Sequence, residues 1–244
     1  MKSKTRVILL AFTVVLLLAY SGTVTGGYFS DGDSSTDNVL RVKAAPLFGS
    51  ADSFVILAYS TVTNTGSTTV TGDLGLSPGT AVVGFPPGTV TGTMHAGDAA
   101  ADQAQIDLTT AYDDAAGRTP VTTITGDTLD GLNLTPGVYG GGALSLTETL
   151  TLTGDANAFW IIKAASTLDT AAGSHVVLSG GARAANVYWV IGSSATLGAN
   201  SYFKGNIMAY ASITMYAGVT MEGRALAQTG AVTLASDAIA KPTP

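Results

Sequence analysis

Few residues in this chain have the types and spacing that catalysis or metal binding requires. The two histidines, His95 and His175, belong to no spacing that metal sites use, so both are interpreted as structural. No phosphate-binding Gly-Lys-Ser/Thr loop occurs in the sequence. Asp113 and Asp114 fall near the end of a predicted helix, where a solvated face is expected rather than a catalytic pair. We therefore expect no enzymatic activity, no cofactor, no metal and no small-molecule substrate.

The composition indicates a weakly charged protein with enough apolar material for a core. Only 11% of the 244 residues are charged, the net charge is −6, and 46% of the residues are hydrophobic. Binding to nucleic acid is not expected, because it needs clustered Lys and Arg. Frequent Thr and 30 Gly residues favour tight, repetitive β-structure. The sequence has no Cys, which excludes disulfides and a lipid anchor on Cys.

The N-terminus predicts export from the cytoplasm. Three basic residues precede an apolar run over residues 7–19, which is short for a membrane span. Residues 1–21 are predicted to be a Sec-type signal peptide, with retention as an uncleaved anchor as the alternative. Residues 22–45, rich in Gly, Ser and Asp, predict a flexible linker. Residues 46–244 then form the predicted domain of a secreted protein.

One segment of this domain has helical periodicity. Within residues 98–116, small apolar residues recur at intervals of three and four. Asp98 suits an N-cap and Gly117 a C-terminal stop, so a single α-helix is predicted there. Because its apolar stripe is mostly Ala, the helix can pack very closely. The aromatic runs at 159–162 and 187–191 are continuously apolar and predict a sheet buried on both sides, beneath the helix.

The rest of the domain is quasi-periodic after residue 120. Residues 145–153 alternate, with Leu on one side and mostly Thr on the other. Four later segments place a Thr before an apolar residue, with spacings of 29, 18 and 19 residues between Thr167, Thr196, Thr214 and Thr233. About 18 to 20 residues per turn is what a three-sided β-solenoid requires. The longest coil is expected to carry a loop near Gly180-Gly181.

These repeats predict one exposed face with two parallel ladders of small side chains. Apolar neighbours should point inward, so the aligned Thr residues should stack outward, with the second ladder two residues earlier in each coil. Strands repeat every ~4.7–4.9 Å, and alternate residues along a strand lie ~6.6–6.8 Å apart, so the grid can hold an ordered water layer. The predicted contact residues are Thr167, Ser194, Thr196, Ser212, Thr214, Ala231 and Thr233.

Several motifs occur in an order that resembles a known family. They are FVILA at 54–58, TGDLGLSPGT at 71–80, GFP at 84–86, LTPGVY at 134–139, NVYWVIGSSATLG at 186–198, GRALA at 223–227 and AVTL at 231–234. From about Phe54 to Ile239, the chain is similar to the widespread microbial ice-binding domain, formerly a domain of unknown function.

The resemblance implies an all-β-dominated fold, a right-handed three-sided β-helix with one α-helix packed alongside. N-terminal strands are expected to return and pair near the C-terminal coils. The resemblance also implies adsorption to ice crystals through one flat face, with thermal hysteresis and inhibition of ice recrystallisation. The expected partner is the ice surface, bound by a monomer. Some relatives carry a regular Thr-Ala/Gly-x-Thr/Asn motif on that face, whereas here Thr196 is followed by Gly198 and Ala199.

Two other functions compete with this one. A polysaccharide lyase or hydrolase on a β-helix needs a groove of clustered carboxylates with Arg or Lys, and the coils carry almost no charge. Asp155, Asp169 and Asp237 are instead expected at coil corners as turn residues. An extracellular adhesive or structural module would bind a polysaccharide or a cell surface. Such a module is expected to carry further repeats or a cell-wall sorting tail.

Overall fold

The structure, a computed structural model, describes residues 44–243. The predicted signal peptide and almost all of the predicted linker lie outside these residues. Two residues assigned to the linker nevertheless belong to the folded domain. The Arg118 guanidinium donates a hydrogen bond of 2.6 Å to the carbonyl oxygen of Ala44, and Ala45 packs against a buried apolar cluster. These contacts begin two residues before the predicted domain boundary, and the division into signal peptide, linker and domain stays a prediction.

Strands from successive coils pair in parallel and form three rows. The first row, which we call the helix face, lies under the single α-helix. In order across the row, its strands are β8 (Thr122–Thr123), β10 (Gly137–Gly141), β13 (Trp160–Ala164), β16 (Val187–Ile191), β18 (Tyr202–Ala209), β20 (Thr220–Ala227), β1 (Phe54–Ala58), β4 (Asp73–Leu76) and β7 (Met94–Ala96).

The second row is a separate seven-stranded sheet, which we call the threonine face. Its strands are short, and six of them alternate buried with exposed or half-exposed side chains, whereas in the last strand the inward Val82 is half-buried. In order, they are β11 (Leu144–Leu146), β14 (Leu168–Thr170), β17 (Ala195–Leu197), β19 (Ile213–Met215), β21 (Val232–Ala235), β2 (Thr61–Thr65) and β5 (Ala81–Val83).

The third row completes the coils, and we call it the third face. It contains the first halves of β18 and β20, which bend around one corner into the helix face. The other strands are β9 (Asn133–Leu134), β12 (Thr149–Thr153), β15 (His175–Ser179), β22 (Ala238–Ala240), β3 (Thr69–Thr71) and β6 (Thr89–Val90). Short 3-10 helices occupy Gly49–Ser53, Thr125–Asp127 and Ala184–Asn186.

The bend in β18 requires glycine. Gly205 has a φ of 110°, in a region that residues with a side chain rarely adopt. A Cβ atom at this position would lie 2.8 Å from the side chain of Val187. Gly223 lies opposite Gly205 in β20, and a Cβ atom there would lie 1.8 Å from the carbonyl oxygen of Gly205. Glycine at both positions lets β18 and β20 each continue from the third face into the helix face.

The order of coils in space differs from their order along the chain. β1, β2 and β3 stack on the last C-terminal coil by pairing with β20, β21 and β22, and β4 to β7 extend the stack further. The α-helix, α1 (Ala99–Ala116), then crosses the helix face. β8 begins at the opposite end, from which the chain winds back. The predicted return of the N-terminal strands to the C-terminal coils is confirmed.

Helix α1 forms as its sequence predicts and covers one face. The Asp98 carboxylate accepts a hydrogen bond of 3.0 Å from the backbone N–H of Ala101, and the helix ends at Gly117. Its buried stripe packs against apolar side chains of the helix face, so this sheet is buried on both sides, as predicted. The packed residues are Ala104, Leu108, Ala111 and Ala115 from the helix, with Phe54, Leu57, Phe159, Ile161, Tyr188, Val190, Met208 and Leu226 from the segments beneath it.

The interior of the coils holds the larger apolar cluster. Trp160 and Trp189 are fully buried there, and each indole N–H is satisfied by a backbone carbonyl oxygen. Trp160 donates to Leu134 at 3.1 Å, and Trp189 donates to Lys204 at 3.0 Å. Since a buried polar group without a partner would cost stability, these bonds allow the large rings to fill the coils.

A buried charged group joins the N-terminal segment to the C-terminal coils. Arg224 is 3% exposed, and its guanidinium donates to the Asp52 carboxylate at 2.5 Å and to the Asn206 side-chain oxygen at 2.7 Å. The ammonium of Lys241 also lies 3.0 Å from the Asp52 carboxylate. Burial lowers the pKa of Arg224, and the charge of Asp52 opposes that shift. This network connects the 3-10 helix at Gly49–Ser53 with strands β18 and β20.

Replacing Arg224 should therefore destabilise the fold. In Arg224→Met, the Asn206 oxygen stays buried and loses its donor, so we expect the free energy of unfolding to fall by about 1–3 kcal/mol. Urea denaturation followed by tryptophan fluorescence measures this change. Arg183→Met, at an exposed arginine, is the control and should stay within about 0.5 kcal/mol of the parent. Equal stability of the two variants would contradict a stabilising role for the network.

A buried tyrosine on the helix face should make the stability of the fold depend on pH above about pH 10. Tyr188 is 5% exposed and stacks on Phe48 with 5.6 Å between ring centroids. Burial raises its pKa to about 12, against about 10 in an unfolded chain. The contribution of the neutral phenol to the free energy of unfolding is therefore fully present below about pH 10. It is lost as the pH rises from about 10 to about 12.

The variant Tyr188→Phe keeps the ring and cannot ionise. We expect it to lose less unfolding free energy than the parent between about pH 10 and pH 12, by up to about 2–3 kcal/mol. Urea denaturation at several pH values gives this difference. Tyr216→Phe, at a tyrosine that is 56% exposed, serves as the control and should follow the parent. Parallel losses in all three proteins would disprove the prediction.

Candidate functional site

The threonine face presents a central row of aligned hydroxyl groups. Parallel pairing places Thr196 opposite Thr214, and Thr214 opposite Thr233. The row continues into the N-terminal strand, where Thr63 lies opposite Thr233. All four side chains are half-buried, while their neighbours along each strand are buried in the core. The pleat of each strand thus separates the core from this row.

The hydroxyl groups of this central row are available to solvent. Within residues 44–243, no hydrogen bond engages the side chain of Thr63, Thr196, Thr214 or Thr233. Each hydroxyl can both donate and accept, so the row can anchor a line of water molecules. Thr is also stiff at χ1, which keeps the positions of these groups defined.

A second row runs beside the first, two residues earlier in each strand. Leu168 lies opposite Ala195, so Thr167 and Ser194 are neighbours in this row. The serine hydroxyls of the row accept hydrogen bonds from the next coil, Ser194 from the Ser212 N–H at 3.4 Å and Ser212 from the Ala231 N–H at 3.3 Å. These contacts fix the serine side chains and leave a surface of small groups.

All seven predicted contact residues lie on the threonine face, but the alignment of one was wrong. Thr167 belongs to the second row, and Asp169 takes the position opposite Thr196 in the central row. The true spacings along the central row from Asp169 are 27, 18 and 19 residues. The longest coil contains the turn at Gly180-Gly181 and a 3-10 helix, and its length could not be derived from the repeats. That these residues contact a ligand stays a prediction.

The predicted turn carboxylates fall into two groups. Asp155 accepts hydrogen bonds from the N–H groups of Asn157 and Ala158, and Asp237 is buried and accepts from Val219, so both act within turns as expected. The prediction for Asp169 was wrong, because this residue lies in the middle of strand β14 and is exposed.

Sequence analysis missed the contribution of strand β2. Thr61, Thr63 and Thr65 alternate with buried residues and extend both rows beyond β21. The alternation was visible in the sequence, but its place was not, because β2 pairs with a strand about 170 residues away. Ser145 lies opposite Asp169 at the far end of the face, and its hydroxyl donates a hydrogen bond of 3.3 Å to the carbonyl oxygen of Asp127.

The other two faces differ in chemistry from the threonine face. The helix face is covered by α1. On the third face, the rings of His175 and Tyr202 stack with 4.8 Å between centroids, and Lys204 forms an ion pair of 2.5 Å with Glu222. The charged groups hold their own hydration shells, and the large rings make this face uneven. The threonine face is thus the one of the three that combines small side chains with a nearly uncharged surface.

The side chains that most resemble catalytic groups form hydrogen bonds with residues at the start of α1. The run Gly75-Leu76-Ser77-Pro78-Gly79 matches a hydrolase nucleophile motif in its letters, which sequence analysis overlooked. Ser77 is buried and donates its hydroxyl hydrogen bond to Asp102 of α1, whereas the ring of His95 lies 2.7 Å from Asp98. Hydrogen bonds from Ala101 and His95 hold the pKa of Asp98 below its ordinary value, which suits its role as an ionised N-cap.

Metal-ligand clusters and membrane-spanning helices are both absent from the part of the chain that the structure describes. No group of three or more His, Cys, Asp or Glu residues within residues 44–243 could hold a metal ion. In the same range, no helix has the length and apolar character that crossing a membrane requires.

Two known proteins are similar to most of this chain in sequence. An ice-binding protein from Nostoc sp. (strain HG1) is 46% identical over 205 residues, which are 82% of this chain and 76% of that protein. An ice-binding protein from Flavobacterium frigoris (strain PS1) is 34% identical over 209 residues, 80% of this chain and 75% of that protein.

Crystal structures of ice-binding proteins superpose on most of the chain. One from an Antarctic biological consortium has a TM-score of 0.81 at 48% identity and covers 83% of this chain and 94% of its own. Another, from the ascomycete Antarctomyces psychrotrophicus, has a TM-score of 0.79 at 39% identity. It covers 81% of this chain and 98% of its own. The expected fold class, parallel β-sheets with a single helix, is confirmed. The Ice-binding-like family model matches residues 56–240, and the chain belongs to this family.

Proposed function

We propose that this protein binds ice through the threonine face. The observation that carries the proposal is the central row, in which Thr196, Thr214, Thr233 and Thr63 are aligned and their hydroxyl groups have no hydrogen-bond partner among residues 44–243. The second row supplies small side chains beside it. Relatives that are named ice-binding proteins support the same function for this chain.

The spacing of the two rows favours ordered water. Neighbouring coils lie ~4.7–4.9 Å apart, and the rows are separated by ~6.6–6.8 Å along each strand. A Thr hydroxyl anchors a water molecule, while its methyl group restrains the water beside it. Each contact is weak, so binding depends on many contacts that form together. A rigid stack of hydrogen-bonded coils holds them in place and loses little entropy on docking.

Adsorption of this kind produces the activity that we propose. Bound molecules force ice to grow as curved fronts between them, which lowers the local freezing point and gives thermal hysteresis. The same obstruction inhibits recrystallisation. We also propose that the protein is secreted, acts as a monomer and catalyses no reaction. The basic and apolar N-terminal segment supports secretion, and the use of the site's polar groups in structural contacts supports a non-enzymatic role.

A bulky charge in the centre of the row should abolish close contact with ice. For Thr214→Glu, we expect the concentration that stops ice recrystallisation to rise at least about tenfold, equal to about 1.4 kcal/mol. The assay compares crystal size over hours against albumin, and circular dichroism checks the fold. Thr220→Glu, the same change at an exposed position of the third face, should keep parental activity. Full activity of Thr214→Glu would show that another face binds ice.

A matched pair of variants tests whether the N-terminal strand belongs to the same surface. Thr63→Glu should reduce activity about as much as Thr214→Glu, because both residues stand in one row. Thr69→Glu, at an exposed position on the third face of the same coil, is the control. If Thr63→Glu is fully active while Thr214→Glu is not, the contact surface ends at β21.

A further inference from the structure

One charged residue interrupts the central row of the threonine face. Asp169 lies between Ser145 of β11 and Thr196 of β17, and its side chain is exposed. Within residues 44–243, its carboxylate accepts no hydrogen bond and forms no ion pair. Among the described residues, the Asp169 carboxylate therefore has no partner, and it is exposed to solvent.

Nearby carboxylates at the same end of the face behave differently. The Asp127 carboxylate accepts a hydrogen bond from the Gly142 N–H, and the Asp130 carboxylate accepts from the N–H groups of Thr147 and Glu148. These acids have structural roles in the turns that flank the face. Asp169 has no such role, so its position in the row is free to affect what the row binds.

A hydrated carboxylate in this position should disturb its neighbours. Removing water from an unpaired charge is costly, so Asp169 retains its hydration shell when ice approaches. Adjacent members of the row lie only ~4.7–4.9 Å away, which is within the reach of that shell. The water order that Thr196 imposes on one side cannot continue to Ser145 on the other.

We propose that Asp169 limits the ice-contacting surface to the part of the threonine face from β17 to β2, and thereby lowers activity. This inference rests on the proposed function. In the present row, the threonine hydroxyls from Thr196 to Thr63 span three coil spacings, about 14 Å. A hydroxyl at position 169 would join Ser145 to them and extend the row to five spacings, about 24 Å.

The first test replaces the carboxylate. Asp169→Thr should raise thermal hysteresis at equal concentration by about 1.5-fold, if activity follows the number of aligned hydroxyls. Asp169→Asn removes the charge without supplying the hydroxyl, and should give a smaller gain. Asp113→Asn, the same charge change at an exposed residue of α1, is the control and should match the parent. Melting temperatures verify that all variants are folded.

A second substitution tests the extent of contact directly. Ser145→Glu, which cannot pair with the Asp169 carboxylate, should leave activity unchanged in the parent, because β11 lies outside the contact surface. In the Asp169→Thr background, Ser145→Glu should cancel the gain, because β11 is then part of that surface. Such dependence of one substitution on the other is the signature of coupled sites.

The outcomes separate this inference from the proposed function. If the parent is active and Thr214→Glu is not, while Asp169→Thr brings no gain, the inference is overturned and ice binding by this face stands. A loss of activity in Asp169→Asn, or in Ser145→Glu of the parent, also overturns it, since contact would then extend across Asp169. An inactive parent overturns the proposed function and this inference together.

Discussion

The parallel pairing between β2 and β21 is the contact on which the rest of this structure depends. It joins two segments about 170 residues apart and fixes Thr63 opposite Thr233, so that strands from both ends of the domain form one continuous face. Closing so long a loop carries an entropic cost that local pairing does not. The buried network of Arg224, Asp52 and Asn206 stabilises the same junction from the helix side. The surface and the stability of the domain are thus linked at one place.

The three faces of the solenoid differ in exposure and charge, because the helix covers only one of them. The Ala-rich stripe of α1 allows close packing on the helix face and adds a second apolar cluster to the one inside the coils. Charged groups are placed on the helix, in turns and on the third face, as with the ion pair of Lys204 and Glu222. This distribution leaves the threonine face nearly free of charge while the molecule as a whole remains charged.

Much of the fold could be predicted from local signals, and the errors have physical causes. The helix from Ala99 to Ala116 follows from its period and caps, and the outward Thr residues follow from strand alternation. The register of Thr167 could not be derived, because loops change the length of a coil without changing its strands. The place of β2 depends on a pairing between distant segments, which alternation alone does not specify. Asp169 resembled a turn residue because Asp favours turns, yet pairing with β11 and β17 holds it in a strand.

The same rigidity that makes the face useful makes it sensitive to single residues. Backbone hydrogen bonds between coils hold every outward side chain at a fixed distance from its neighbours, so a side chain that disturbs water cannot move aside. A flexible surface could adapt around Asp169. In this rigid row, the hydration shell of Asp169 instead disturbs the water at both neighbouring positions. Weak contacts add only while they remain in register, and an interruption therefore removes more than one contact. The length of the uninterrupted row, rather than the total number of Thr residues, is then the property of the sequence that sets how well the face holds ordered water.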